Sequence, residues 1–414
     1  MTDNNGARRV VVTGVGVVTP IGNTVDEFWD GVRRGACGVG PVGGFPLEDL
    51  KILIAAQIKD FDHRARLKHF QRDKIVLHAD QYSWFAAAAA DEAIKMSGLE
   101  VPMADPYRTA CIIGSGAGGL VTYEKAYRDL FIENKRATHP LTLLRIIGSS
   151  ASAHVGIEMG VKGPTFATCS ACSTATHAIG IGRDYIRHGL VDVAIAGASE
   201  SVINYGTMKA WQALHVLSPE GCFPFSKKRN GTVLGEGAGI LILEELEHAK
   251  RRGATILAEL CGYGMTSDSK DMVNPDVEGP REAMQLALDD AGLSAGTIEY
   301  LNAHGTATTI NDKNETNAIK EVFANQAHEL AISSTKSMHG HPLGAGGGIE
   351  AVACIKAMQD NFAPPTINLE EADPDCDLDY VANEGRDMEI NYTMSNSFAF
   401  GGLNAVVVFG PAPA

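Results

Sequence analysis

Apolar residues recur along this chain in two rhythms. Short aliphatic runs of strand length, such as Val10-Val11-Val12, Thr109-Ala110-Cys111-Ile112-Ile113, Val193-Ala194-Ile195-Ala196 and Gly239-Ile240-Leu241-Ile242-Leu243, are bounded by glycine or polar turns. Between them lie Ala-rich segments of helical spacing, residues 84–98 and 281–292, each ending at a glycine that suits a helix C-cap. The run Arg8–Thr13 reads as a strand that breaks into a tight loop at Gly14-Val15-Gly16, and Ala254–Leu260 reads as a strand running into Gly262-Tyr263-Gly264.

These parts come twice, in the same order. After the opening strand and the Ala-rich helix, each half has an apolar strand ending in small residues, Thr109–Ile113 and Ile298–Asn302. Each then has a small-residue turn opening a helix, Cys172 to Tyr185 and His341 to Met358, and each closes on apolar strands, the last being Ala405–Phe409. Such alternation predicts largely parallel, mixed sheets with helices on both faces. The repetition predicts two such sheets sharing a helical layer, a thiolase-like five-layer αβαβα fold of class α/β with internal duplication. The halves are expected to be residues 1–252 and 253–414. No Pro/Gly/Ser linker marks the boundary, so one body is expected.

Composition narrows the chemistry. The 414 residues are 45% hydrophobic and 21% charged, with a formal net charge of -15. That balance argues against nucleic acid as a partner, because nucleic-acid binders carry basic stripes. No stretch approaches the roughly 18 to 20 apolar residues that cross a bilayer, and Met1-Thr2-Asp3-Asn4-Asn5 shows no leader pattern, so no membrane insertion and a cytoplasmic location are expected. Eight irregularly spaced cysteines read as reduced thiols rather than a disulfide framework.

One of those cysteines stands out. Thr168-Cys169-Ser170-Ala171-Cys172-Ser173-Thr174-Ala175 concentrates small residues just before an apolar helix, where unsatisfied N–H groups and the helix dipole would lower the pKa of Cys172 and make it a nucleophile. An inert buried cysteine is the other reading of this stretch. Cys169-x-x-Cys172 is also the spacing of a redox pair or half a zinc site, although no second Cys/His pair at ligand spacing accompanies it. In the second half, Asn302-Ala303-His304-Gly305-Thr306 puts a histidine at a strand end, where open α/β sheets gather functional groups. Lys336 and His341 lie in Ser334-Thr335-Lys336-Ser337-Met338-His339-Gly340-His341, and burying them requires partners. Finally, Asn396-Ser397-Phe398-Ala399-Phe400-Gly401-Gly402 sets aromatic residues beside a diglycine loop with N–H groups suited to an oxyanion, or forms a hairpin with two core phenylalanines.

Taken together, Val12-Thr13-Gly14-Val15-Gly16, Gly114-Ser115-Gly116, Ala171-Cys172, Gly235-Glu236-Gly237-Ala238-Gly239, Asn302-Ala303-His304-Gly305-Thr306, Ser334-Thr335-Lys336-Ser337 with Gly340-His341, and Phe400-Gly401-Gly402 resemble the β-ketoacyl-(acyl carrier protein) synthases. The type II, long-chain elongating branch is the nearest in pattern, and the likeness runs over nearly the whole chain. It implies elongation of acyl chains by decarboxylating Claisen condensation, with Cys172 carrying the acyl group and His304 and His341 stabilising the enolate. It implies that Lys336 orders the histidines and Glu315, that the N–H groups of Cys172 and Phe400 form the oxyanion hole, and that Phe400 is a gate backed by Phe398 with Asp268 as loop partner. It implies no redox or metal cofactor, the substrates being carried on the phosphopantetheine arm of acyl carrier protein. Asn302, Glu350, Ser395 and Asn396 resemble positions that hold a structural monovalent cation in some members.

Acyl carrier protein is acidic, and the densest basic run, Arg64, Arg66, Lys68, Arg72 and Lys74, is the candidate docking surface, with a solvated helix face as the plain alternative. Ala117 stands where the branch often has a bulkier aliphatic residue at the base of the acyl pocket, which favours longer or wider chains. A specialised very-long-chain or polyketide-type ketosynthase is therefore the second reading, and a non-catalytic chain-length subunit the third. A thiolase fits less well, because its second catalytic cysteine is replaced in the C-terminal glycine loop by Phe400. The family implies a homodimer, or a heterodimer with a paralogue.

Overall fold

A computed structural model describes residues 6–413, so the first five residues, and with them the reading of the leader region, lie outside it. The first half supplies β1 (Val10–Val18), β2 (Thr109–Gly114), β3 (Thr165–Phe166), β4 (Val193–Glu200) and β5 (Gly237–Glu245). The second supplies β6 (Ala258–Ser267), β7 (Tyr300–Asn302), β8 (Ala331–Ser333), β9 (Thr393–Ala399) and β10 (Leu403–Gly410). The first five strands lie in the order β3-β2-β4-β5-β1 and the second five in the order β8-β7-β9-β10-β6, which is the same permutation. Strand directions match as well: the β2–β3, β2–β4, β7–β8 and β7–β9 pairs are parallel and the rest antiparallel.

The expected two mixed sheets are joined at one edge. β1 pairs with β6 through Val11↔Glu259 and Val12↔Ala258, making ten strands continuous. Six helices complete the layers: α1 (Gln81–Ser97), α2 (Ser150–Met159), α3 (Thr174–Arg187), α4 (Glu278–Ala291), α5 (Thr309–Phe323) and α6 (Gly346–Asp360). Helices α1 and α2 cover one outer face, α4 and α5 the other, and α3 and α6 pack against strands of both sheets. Strand alternation explains the layering. Along β5, Ala238, Ile240 and Ile242 face α1 while Leu241 and Leu243 join the central core; along β10, Val406 and Val408 face outward while Ala405, Val407 and Phe409 face the centre.

One sequence expectation is corrected. Gly14 and Gly16 open no loop; β1 runs straight through them to Val18. A Cβ at these positions would lie 2.1 Å from Ala93 O and 1.9 Å from Ala89 O, so their glycines let the backbone of α1 rest on the sheet. Gly262 and Gly264 do the same under α4, 2.2 Å from Ala287 O and 2.1 Å from Ala283 O, so β6 likewise continues through them and begins only at Ala258. Helices α1 and α4 do end at left-handed glycines, Gly98 and Gly292. Among the described residues no helix is long and apolar enough to cross a membrane.

Candidate active site

The central helices position the chemistry. Before α3 the chain makes one tight turn, Ala171–Ser173, with Ala171 at φ +48°, a conformation that costs a non-glycine residue energy and marks a sharp elbow. The second half repeats the device before α6, with Leu343 at φ +41° opening the turn Leu343–Ala345. By this correspondence Cys172 matches Gly344: only one of the two elbows carries a nucleophile.

Cys172 is buried, and its Sγ lies 3.1 Å from His341 Nε2. The backbone of His341 is held on both sides, its N–H donating to Val233 O at 2.7 Å and its carbonyl accepting from Gly235 at 2.9 Å. The His304 ring stands edge-on to His341, with centroids 5.5 Å apart, and also contacts Phe398. Glu315 clamps the His304 turn by accepting the N–H groups of His304 and Gly305, both at 2.8 Å, and the Asn396 amide at 3.1 Å. Lys336, fully buried on the single turn Lys336–His339, pairs with Glu350 on α6. Its direct partner is Glu350, and its charge also reaches Glu315, where it opposes the rise in pKa that burial causes.

The electrostatics follow from dryness. Burial holds both His304 and His341 well below the usual imidazole range, and the Lys336 ammonium pushes them further down, so both rings are neutral. Burial raises the Cys172 thiol to about 12, with Lys336 and the Phe400 N–H pulling in the opposite direction. The thiolate expected from the helix terminus is therefore not the resting form; desolvation outweighs the opposing charge and the sulfur keeps its proton.

The diglycine loop also differs from its reading. Gly401 N–H donates to Met272 O at 2.9 Å and Gly402 N–H to Ala399 O at 3.0 Å, so neither is free for an oxyanion. The Phe400 N–H is the loop donor that bears on the reacting sulfur, pulling the Cys172 thiol pKa down against the effect of burial. Both phenylalanines line the cavity, and Phe398 also packs in the outer core of the second half. Asp268 braces the loop, its backbone N–H donating to Gly402 O at 2.9 Å and its carboxylate accepting from Asn404 at 2.6 Å.

A cavity of about 230 Å³ runs from exposed Met272, Val273 and Ile310 down to Cys172, His304 and His341. Trp211 lines it and stacks on Phe400, with centroids 5.7 Å apart; a tryptophan on the short helix Tyr205–Ala213 carries no sequence signal that separates it from core. Ala117 packs in the apolar cluster around Cys172 but not on the cavity wall. Arg64, Lys68, Arg72 and Lys74 are exposed and Arg66 half-buried; none of the five lines the cavity. Sequence reasoning also missed Glu200, the acidic end of apolar strand β4, although a carboxylate closing such a strand is itself a legible signal.

Two groups suit an ion. Cys172, His304 and His341 present ligand atoms within 4.8 Å of one another, a soft donor set of the kind zinc accepts. Nearby, Asn302 Oδ1, Glu350 Oε2, Ser395 Oγ and Asn396 Oδ1 are all buried oxygens without a hydrogen-bond partner, and Ser395 sits directly across from Asn302 in the sheet. These residues fit the hard, oxygen-only environment of an alkali-metal cation.

Comparisons with known proteins agree with this geometry. Residues 7–249 match the model of the β-ketoacyl synthase N-terminal domain, and residues 257–370 that of its C-terminal domain. The chain is 43% identical over 403 residues to nodulation protein E of Rhizobium meliloti (strain 1021), covering 97% of this chain and 99% of the relative. It is 42% identical over 409 residues to 3-oxoacyl-[acyl-carrier-protein] synthase 2 of Coxiella burnetii (strain RSA 493 / Nine Mile phase I), covering 97% and 98%. Among solved structures, a type II polyketide synthase acyl-carrier protein in complex with its ketosynthase bound to the hexaketide, AntDE:AntF, superposes with a TM-score of 0.89 at 33% identity, covering 98% of this chain and all of that one. The duplicated fold, the buried Cys-His-His group and these matches together establish that the chain belongs to the β-ketoacyl synthase family.

Proposed function

We propose that the protein is a 3-oxoacyl-[acyl-carrier-protein] synthase that elongates acyl-ACP with malonyl-ACP in fatty acid biosynthesis. The observation that carries this reading is the dry pairing of Cys172 Sγ with His341 Nε2 at 3.1 Å, with a second neutral imidazole, His304, edge-on beside it. In the first step Cys172 Sγ bonds the acyl carbon, the carrier sulfur leaves, and the thiol proton passes to that sulfur with His341 Nε2 as relay. In the second, carbon dioxide leaves malonyl-ACP and the enolate oxygen takes N–H hydrogen bonds from His304 and His341. The carbanion attacks the acyl-Cys carbonyl carbon, the Phe400 N–H donates to the tetrahedral oxyanion, and the C–S bond breaks to leave a Cys172 thiolate that takes one proton from solvent, the proton that loss of the malonyl carboxylate as carbon dioxide consumes. His341 serves as acceptor first and donor second. Its Nδ1 has no hydrogen-bond partner, so the fold does not lock the ring in one tautomer.

In this scheme Lys336 keeps the imidazoles neutral and no redox or metal cofactor is required. An alkali-metal cation held by Asn302, Glu350, Ser395 and Asn396 would fix the Glu350 side of the Lys336 pair. The partner is acyl carrier protein, with Arg64, Arg66, Lys68, Arg72 and Lys74 as its docking surface and the cytoplasm, where free thiols persist, as the location. A second copy of the chain is the other partner. β3 pairs on one side only and ends the sheet, and the segment following β2 exposes Phe131 (71%), Ile132, Leu143 (70%) and Leu144. Sedimentation of the Phe131→Asp/Leu143→Asp variant should give monomers; an unchanged dimer would place the interface elsewhere.

The test of function is to incubate the purified protein with acyl-ACPs of increasing length and malonyl-ACP, following acylation by intact mass and product by chromatography. Cys172-dependent product is expected, and no acylation with any chain would sink the reading in favour of a silent chain-length subunit. The small Ala117, packed against the apolar cluster that includes Cys172, and the likeness to nodulation protein E favour, as second reading, a synthase for longer or unusual chains. The same series decides between them.

A further inference from the structure

Glu200 is a buried carboxylate that no step above uses. Its Oε1 accepts from Ser115 Oγ at 2.8 Å and Ala117 N at 3.2 Å; its Oε2 accepts from Gly116 N at 2.8 Å and Gly344 N at 3.1 Å. Four donors saturate the carboxylate, and Glu200 makes no ion pair among the described residues. Burial pushes its pKa up to about 7. Three of the donors belong to the loop after β2, whose Ala117 packs in the apolar cluster around Cys172. The fourth, Gly344, lies three residues after His341 and belongs to the other half. There is no room for side chains at this junction, since a Cβ at Gly116 or Gly344 would lie 2.9 or 2.8 Å from Glu200 Oε2.

We propose that Glu200 is a positioning residue that ties the Ser115–Ala117 loop to the Gly344 turn and thereby sets which acyl chain lengths Cys172 accepts. The inference rests on the synthase reading above. Its logic is chemical: every group hydrogen-bonded to Glu200 donates, and among them only Ser115 Oγ, which already accepts the Gly118 N–H at 2.8 Å, has a lone pair left to accept. In Glu200→Gln the new amide nitrogen finds an acceptor only at Ser115 Oγ, which places it on the Oε1 side against the Ala117 N–H, donor facing donor. The Oε2 contacts to Gly116 and Gly344 survive, so the displacement falls on Ala117 while the His341 turn stays in place.

Single-turnover acylation of Cys172 by hexanoyl- and palmitoyl-ACP reads this directly, with malonyl-ACP decarboxylation as the companion measurement. Losing a hydrogen bond to a charged acceptor should change the palmitoyl-to-hexanoyl rate ratio by about tenfold in Glu200→Gln. Decarboxylation, which depends on the histidines, should remain within about twofold of native, a change small against that tenfold effect. Ser115→Ala, which leaves the carboxylate but removes its Ser115 donor and the oxygen that accepts the Gly118 N–H at 2.8 Å, should shift the ratio in the same direction by about threefold, and it carries the test if Glu200→Gln does not fold. An unchanged ratio, or equal losses in every acylation and in decarboxylation, would overturn the proposal. A native protein that takes up no acyl group would instead overturn the synthase reading.

Discussion

Removing Lys336 alone should cost more stability than removing it together with Glu350. Both side chains are 1% exposed and they pair with each other at the centre of the molecule. In Lys336→Met the Glu350 carboxyl, already raised by burial, loses the cation that opposes that rise and must either stay charged without a partner or take up a proton. Breaking a buried pair from one side costs about 3 to 5 kcal/mol, whereas replacing both members with apolar residues of similar volume is often close to neutral. Lys336→Met/Glu350→Leu should therefore recover most of the single variant's loss and sit within about 2 kcal/mol of native. Urea unfolding of the native protein, both single variants and the double variant, at one pH and one potassium concentration, gives the coupling directly. A cost below about 1 kcal/mol for Lys336→Met, or a double variant as unstable as the sum of the singles, would refute the argument. The double variant should still lack condensing activity. Without the ammonium the pKa values of His304 and His341 rise towards the ordinary range, so the acid limb of any residual decarboxylation should move to higher pH.

Three further outcomes follow from the same structure. Gly16→Ala should lose about 1 to 3 kcal/mol in thermal or denaturant unfolding, because its Cβ would meet backbone rather than a side chain that can move; native-like stability would mean that α1 does not rest on β1 there. Glu236, almost fully buried and accepting from Ile58 N at 2.8 Å, has its pKa raised from 4.5 to about 7, so the fold favours its protonated form and the stability this contributes is present below pH 4.5 and lost as pH rises through 7. Glu236→Gln removes that loss, and its stability relative to native should grow by about 3 kcal/mol between pH 4.5 and pH 8; a flat difference would contradict the raised pKa. Replacing potassium and sodium with choline at constant ionic strength should lower the melting temperature of the native protein but not that of Asn302→Ala, and equal melting in both salts would argue against a cation at the four oxygens.

The apolar runs of β5 and β10, and the repeat of parts between the halves, were legible because a strand buried on both faces needs apolar residues at every position and a duplicated fold needs them twice. Gly14 and Gly16 misled because glycine signals a turn as readily as a close approach, and only the position of Ala89 and Ala93 across the interface distinguishes them. The edge joining of the sheets rests on two residue pairs about 250 positions apart, beyond the reach of any local pattern. At the site, small residues before a helix pointed to Cys172, and strand-end position pointed to His304. The protonated thiol was hidden because desolvation belongs to the surroundings rather than to the motif. Lys336 was visible as a cation needing a partner, but Glu350 lies 14 positions away, on a different helix, and no helical spacing connects them.

Duplication explains why the site lies where it does. Each half builds the same elbow before its central helix, yet neither half contains a complete site: the first offers Cys172, the second His304, His341 and Lys336. Their spacing is set by how closely α3 and α6 approach each other and the sheets. A Cβ at Gly347 would lie 2.0 Å from Thr176 Oγ1 on α3, and one at Gly348 would lie 2.4 Å from Gly239 O on β5. The run Gly346-Gly347-Gly348 thus lets α6 settle against both the first half's helix and its sheet, which brings His341, five residues before this run, to within hydrogen-bonding distance of Cys172. Loss of helix propensity at three consecutive glycines, about 1 kcal/mol each, is the cost of that approach. An alanine at Gly347 should accordingly push the two central helices apart and lengthen the Cys172 to His341 contact. Its effect should fall on acylation before it falls on folding.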